Sequence, residues 1–242
     1  MFSATLPSDP PARPAVRPQR SRGRIAVGFG PRGLIRLRQE GCGRCLFPDP
    51  LGGRAQAVVV NTAGGLTGGD RFAIDVSLAQ DARLVVTTQA AERIYRSAGG
   101  RAELANRVSL APGAALDWLP QETILFERAA MARRLDVELG ADARFLGLET
   151  LVLGRRAMGE DILHADVTDN WRIRRGGRLV HAEALRLRGD IAALSARAPL
   201  LGGARALTTL VLVAPEAEAM LATARAASWA RSASSEVTRS RK

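Results

Sequence analysis

From about Gly30 to Gly147 apolar residues alternate with polar or small ones in short runs: Ala55 to Val60, Phe72 to Leu78, Arg83 to Thr88, Leu104 to Leu110, Thr123 to Glu127 and Leu135 to Leu139. A period of two sends alternate side chains to opposite faces, the pattern of half-buried strands, and turn residues separate the runs at short intervals. Further strands are predicted at Phe145 to Leu153, Leu179 to Leu187 and Leu207 to Val213, with Arg174-Arg-Gly-Gly-Arg178 as a hairpin turn. Pro215 to Arg231 reads as an Ala-rich helix with proline in its first turn.

Three segments repeat one another. Val76-Ser-Leu-Ala-Gln-Asp-Ala-Arg-Leu-Val-Val86, Val108-Ser-Leu-Ala-Pro-Gly-Ala-Ala-Leu-Asp-Trp118 and Val137-Glu-Leu-Gly-Ala-Asp-Ala-Arg-Phe-Leu-Gly147 each read strand, turn, strand, and start 32 and 29 residues apart. Such spacing suits successive layers of a stack, in which one unit buries its apolar face only against the next. The predicted fold is therefore mainly β: a stacked, β-helix-like or two-layer scaffold with few helices, the C-terminal Ala-rich helix at about 215–231 among them. Glu122-Thr-Ile-Leu-Phe126 and Glu149-Thr-Leu-Val-Leu153 follow the last two repeats, which places their glutamates at equivalent points of successive layers. Carboxylates that begin apolar strands are costly to bury unless paired, and Arg155 and Arg156 are candidate structural partners.

Between two β runs lies Asn61-Thr-Ala-Gly-Gly-Leu-Thr-Gly-Gly-Asp70. Four glycines lose much backbone entropy on folding, so the loop is expected to need left-handed backbone or close approach to a neighbouring group. A Walker loop requires Lys and Ser/Thr after its last glycine, whereas Asp70 and Arg71 follow here. A dinucleotide fingerprint opens a helix, and Phe72 to Leu78 has strand periodicity. A tight structural turn remains an alternative reading of the glycines, although it accounts less well for Asn61, Thr62 and Asp70.

The formal charge of +11 changes little once it is located. Residues 1 to 24 and 225 to 242 each carry +4, leaving +3 for the body, where arginines alternate with carboxylates and aromatics are too sparse to stack bases. Nucleic-acid binding is not expected. Residues 1–23 read as a disordered basic tail, 24–231 as a single β domain and 232–242 as a second basic disordered tail. No apolar run of ~18 residues and no compact signal-like segment is found, so a soluble, cytoplasmic protein with no membrane partner is expected. Cys42 and Cys45 form one Cys-x-x-Cys without a second pair and read as structural or incidental, with a metal site completed by a second subunit as the alternative; His164 and His181 fit no ligand spacing and read as ordinary half-buried residues. No nucleophile elbow, zincin motif or other catalytic constellation is present. The residues by themselves point to a binding or scaffold protein.

Six ordered blocks go further: Arg38-Gln-Glu-Gly-Cys42, the glycine loop, Tyr95-Arg-Ser97, Trp118-Leu-Pro-Gln-Glu122 with the following Thr-Ile-Leu-Phe126, Leu153-Gly-Arg-Arg-Ala-Met-Gly-Glu160, and Ala182-Glu-Ala-Leu-Arg-Leu187. In this order the chain resembles the UreD (or UreH) family of urease accessory proteins over about residues 30 to 215. The resemblance implies a non-enzymatic maturation factor that binds urease apoprotein and the complex of UreF with the GTPase UreG, and that leaves room for a homodimer within that complex. It implies no tightly bound cofactor and no stable metal site, nickel being in transit through an internal tunnel. Such a conduit calls for oxygen ligands rather than the imidazole or thiolate clusters that would trap the ion. Asp70, Glu149 and Glu183 match family positions associated with the tunnel or with nickel transfer, and Asp70 ranks first because it ends the glycine loop. Asn61, Gly64, Gly65, Gly68, Gly69, Tyr95, Gln121, Glu122 and Glu160 lie in motifs to which the resemblance gives structural or interface roles. Family members usually continue past the helix with another strand and a closing helical region, so the domain is expected to be C-terminally truncated, with an exposed edge and reduced stability when alone. A metal-dependent enzyme that uses Asp70 and neighbouring carboxylates as ligands is the alternative.

Overall fold

The computed structural model describes residues 19–50, 53–155, 158–198 and 200–226. Two sheets face one another. The first contains β1 (Arg22–Gly30), β2 (Gly33–Gly41), β5 (Arg71–Leu78), β8 (Ala102–Leu110), β11 (Ala129–Leu139), β13 (His164–Arg175) and β14 (Arg178–Asp190). The second contains β3 (Gly43–Leu46), β4 (Gln56–Asn61), β6 (Arg83–Thr88), β7 (Glu92–Ile94), β9 (Ala115–Trp118), β10 (Thr123–Leu125), β12 (Arg144–Leu153) and β15 (Ala206–Val213).

The repeats are the rungs of this stack. Val76 lies opposite Val108, which lies opposite Val137, and Leu78, Leu110 and Leu139 form the next row. Across the turn, Leu116 pairs with both Leu84 and Phe145 in the second sheet. The turn alanines Ala82, Ala114 and Ala143 are fully buried, where a larger side chain would hold the two sheets apart. Strands β1, β5, β8, β11 and β13 run parallel, as do β4, β6, β9 and β12. Each rung crosses from one sheet to the other, in the manner of a β-solenoid.

Where a further rung would turn inward, both ends of the first sheet fold back instead. β1 returns as antiparallel β2, and β13 returns as antiparallel β14 through Gly176 (φ 55°) and Gly177 (φ 75°), the pair of left-handed residues a two-residue hairpin requires. Edge strand β2 is exposed along most of its length and carries Arg36, Arg38 and Glu40, charges that discourage edge-to-edge association. One continuous apolar core fills the space between the sheets, with Trp118, Trp171 and Phe145 its largest fully buried side chains.

Several expectations change. β1 opens at Arg22, inside the segment read as tail, and Ser21 is already tied to Asp70. β11 starts at Ala129 rather than Leu135, because Arg133 takes an inward position and interrupts the apolar alternation. α1 (Ile191–Ala196) was not predicted; Asp190 caps it by accepting from Ala193 N at 2.8 Å. The helix expected from Pro215 begins only at residue 221, and its residues beyond 226 lie outside the described part. Residues 214–220 instead form turns with three-residue spacing, such as Ala217 N to Ala214 O and Met220 N to Ala217 O. Glu122 and Glu149 are not equivalent. Thr123 pairs with Leu151, one residue out of the expected register, so Glu149 faces the core while Glu122 stays half-buried.

Candidate functional site

The glycine loop packs across the second sheet. Leu66, fully buried, joins β7 through Leu66 N to Arg93 O at 2.7 Å and Tyr95 N to Leu66 O at 2.8 Å. At Gly65 (φ 148°) a Cβ would stand 2.4 Å from the Tyr95 ring, and at Gly68 it would stand 2.0 Å from Ser97 Oγ and 2.4 Å from Gly99 O. The expected close approach is therefore to the chain itself. Gly68→Ala is expected to lose about 1–3 kcal/mol through overpacking against that backbone. Gly64→Ala meets open space and should lose about 1–2 kcal/mol, from its left-handed backbone alone. Denaturant midpoints of the two variants would check this order.

Asp70 closes the loop. It is 4% exposed, and its Oδ1 accepts from Ser21 N and its Oδ2 from Thr67 N, both at 2.8 Å. Tyr95 Oη donates to Gly64 O at 3.2 Å and the ring meets Phe126 edge-on at 4.8 Å. Glu160 accepts from Arg155 Nε at 2.6 Å and Arg155 lies over the Phe126 ring, so this pair fastens a neighbouring loop. Arg155 is thus the partner of Glu160, not of Glu149.

Beside the loop, between the sheets, lies a cavity of about 210 Å³. Its lining includes Asn61, Gly64 and Gly65 from the loop, with Gln121 and Glu92 nearby, and Glu149 and Arg133 from the facing strands. Asn61 Nδ2 donates to both oxygens of Glu92 at 3.1 Å, while its Oδ1 accepts from Ala63 N at 3.1 Å. Gln121 N donates to Thr88 Oγ1 at 2.9 Å, and the Glu122 carbonyl accepts from Glu92 N at 2.9 Å.

Burial pushes the Glu92 carboxyl above its ordinary range, against the opposing pull of the Asn61 hydrogen bond, the Arg93 backbone N–H and the Arg93 charge. A raised carboxyl pKa means the folded chain binds this proton more tightly than the unfolded one. Ionisation then opposes folding, a penalty absent below the unfolded value and complete above the folded one. Glu92→Gln is expected to melt higher than the parent near neutral pH and to match it below about pH 4. Thermal melts across pH would test this.

The other wall carries a buried ionic cluster. Arg133 holds Asp169 in two contacts, Nε to Oδ1 at 3.0 Å and Nη2 to Oδ2 at 2.5 Å, and donates from Nη1 to Thr123 Oγ1 at 3.0 Å. Its Nη2 also lies 3.0 Å from Glu149 Oε2. Trp118 Nε1 donates to Glu149 Oε1 at 2.8 Å, and the Trp171 indole lies by the same carboxylate. Oε2 receives no well-aligned hydrogen bond. Burial raises the Glu149 pKa; Arg133 opposes that shift and Asp169 adds to it. With all three groups ionised, one cation faces two carboxylates.

Glu183 sits at the end of the stack. It accepts from Thr209 Oγ1 at 3.1 Å, and His181 Nε2 lies 3.9 Å from its Oε2. Thr209 is paired with Glu149 across β12 and β15, yet Glu183 is not among the cavity's lining residues. Of the three carboxylates expected on a transfer path, only Glu149 borders the cavity; Asp70 is used to fasten the loop. Asp169, Arg133 and Glu92 were missed. Their signal was a charge at an inward strand position, as with Arg133 between Met131 and Leu135, and Asp169 between Val167 and Trp171.

The remaining candidates are structural in their surroundings. Cys42 and Cys45 are free thiols; burial raises the first and pushes the second up to about 11. His164 Nδ1 lies 3.5 Å from Glu127 Oε1 on the surface. Among the described residues no three His, Cys, Asp or Glu side chains converge on one point. The metal-dependent enzyme reading therefore gains no ligand set around Asp70. Among the same residues no helix is long and apolar enough to cross a membrane.

Comparison with known proteins decides the family. The model of the UreD urease accessory protein family matches residues 21–241. The chain belongs to the UreD family. The urease accessory protein UreD of Agrobacterium fabrum is 44% identical over 219 residues, covering 89% of this chain and 77% of that protein. That of Rhizobium johnstonii is 49% identical over 218 residues, covering 88% and 80%. UreD 1 of Brucella abortus biovar 1 is 48% identical over 206 residues, covering 84% and 74%. The UreD match spans both sheets, the glycine loop and the ionic cluster, so a role in urease maturation attaches to the whole two-sheet body.

Proposed function

We propose that this UreD-family chain is a non-enzymatic scaffold that binds apo-urease and the UreF–UreG complex and helps hand nickel to the urease active site by way of the inter-sheet cavity. The observation that carries this reading is the cavity's donor set. Glu92, Glu149, Asn61, Thr88 and Gln121 offer oxygen atoms, and neither imidazole nor thiol is among the lining residues. Carboxylate, amide and water oxygens hold a borderline cation loosely enough to release it, whereas imidazole and thiolate ligands would retain it.

The test is co-expression with a urease operon that lacks its own UreD gene. The parent chain is expected to restore urease activity and nickel content. Glu149→Gln keeps the Trp118 hydrogen bond and leaves Arg133 paired with Asp169, so it should fold, capture UreF and apo-urease as before, and lower the nickel content of urease several-fold. A folded parent chain that captures neither partner would overturn the scaffold. Unchanged nickel content with Glu149→Gln would remove the cavity from the route.

A further inference from the structure

We propose that Arg133 is a built-in counter-ion that keeps the cavity from trapping a divalent cation. This rests on the reading that nickel passes through the cavity, and it gives the cluster's one cation a specific task.

The geometry divides the work of the guanidinium unequally. Asp169 takes two hydrogen bonds from it, and Thr123 takes a third. These fix the group in a pocket where Arg133 is 5% exposed. Glu149 meets the same Nη2 at 3.0 Å without an aligned hydrogen bond. Glu149 borders the cavity and Asp169 does not. The guanidinium is thus anchored by the carboxylate away from the cavity and lends part of its charge to the one beside it.

The consequence is electrostatic. Two carboxylates buried within reach of one point would form a strong site for a hard or borderline dication, because affinity rises with the number of anionic oxygen ligands. With both carboxylates ionised and Arg133 between them, the cluster presents a single net negative charge rather than two, and an entering cation meets repulsion as well as attraction. Binding then stays shallow and reversible, as a passage requires and a storage site does not. This is selection by a repulsive element inside the fold. A purely structural role for Arg133 would stabilise the core but would say nothing about metal retention.

The test uses the full chain and nickel alone as probe. The parent, Arg133→Met and Arg133→Lys are each incubated with nickel, passed through gel filtration and assayed for retained metal, with affinity measured by calorimetry. Arg133→Met is expected to bind nickel at least tenfold more tightly than the parent and to melt higher in its presence, while Arg133→Lys restores weak binding. Adding Asp169→Asn to Arg133→Met removes one of the uncompensated carboxylates and should abolish the gain. Where Arg133→Met folds only with metal, refolding from denaturant should succeed with nickel and fail without it. The proposal is overturned if Arg133→Met, folded, binds nickel no more tightly than the parent, or, where the variant does not fold alone, if nickel does not restore its refolding.

Urease activation separates this inference from the conduit itself. Trapped nickel with reduced activation supports both. Trapped nickel with unchanged activation keeps Arg133 as the counter-ion and removes the cavity from the delivery route. No gain in nickel binding beside a loss of delivery with Glu149→Gln overturns the role of Arg133 and leaves the conduit standing.

Discussion

Asp70→Ala is expected to lower the free energy of unfolding by about 2–5 kcal/mol, because two backbone N–H groups lose a buried acceptor at once. Ser21 N and Thr67 N each donate to this carboxylate at 2.8 Å. The first bond ties the start of β1 to the loop, and Arg71 N to Ser21 O at 3.0 Å continues the same seam. The second closes the loop on itself, where Asp70 N also donates to Thr67 O at 3.0 Å. Asp70→Asn should lose less, since the amide keeps one acceptor but turns an NH₂ toward the other N–H. Urea denaturation of both variants gives the order.

The same variants separate fastening from transfer. If Asp70 acts only as a fastener, urease activation by Asp70→Ala should recover at low temperature, where the variant is folded. Activation that stays lost in a demonstrably folded variant would place the carboxylate on the nickel route as well. The carboxylate ranked first for transfer because it ends the glycine loop is thus the one whose geometry speaks most directly for structure.

The stack was legible because its signal is periodic. Val76, Val108 and Val137 fall at the same point of three similar segments, and they lie side by side in adjacent rungs. The hairpin at Gly176 and Gly177 was legible for a local reason, since two adjacent left-handed residues leave few choices but glycine. The ionic cluster was not. Arg133 and Asp169 are 36 positions apart in the chain, and each breaks the alternation of its own strand, so each reads as a defect until β11 and β13 are set in register. The error over Glu122 has a related cause. Two Glu-Thr pairs align well as text, but the parallel register offsets them by one residue, and in a strand one residue exchanges core for surface. Loop motifs show which residues matter; only pairing shows which way they face.

Leu116→Ala tests whether the rungs share one interior, and its expected cost is about 2–5 kcal/mol, the transfer term plus the cavity left behind. Leu116 is fully buried on the central rung, with Leu84 on one side and Phe145 on the other. In a stack each rung meets only its neighbours, so a void in the middle weakens two interfaces where a change at an end weakens one. Leu210 on β15 is the control, because it is 55% exposed and its truncation should fall within about 0.5 kcal/mol of the parent. Guanidinium unfolding of the three chains, with the slope of each transition compared, is the measurement. A large midpoint shift for Leu116→Ala at unchanged slope means that the rungs unfold as one unit around a common core. Equal midpoints for the two variants would mean that the repeats seen in the sequence do not bury a common apolar row, and the two-sheet stack would then lose its physical basis.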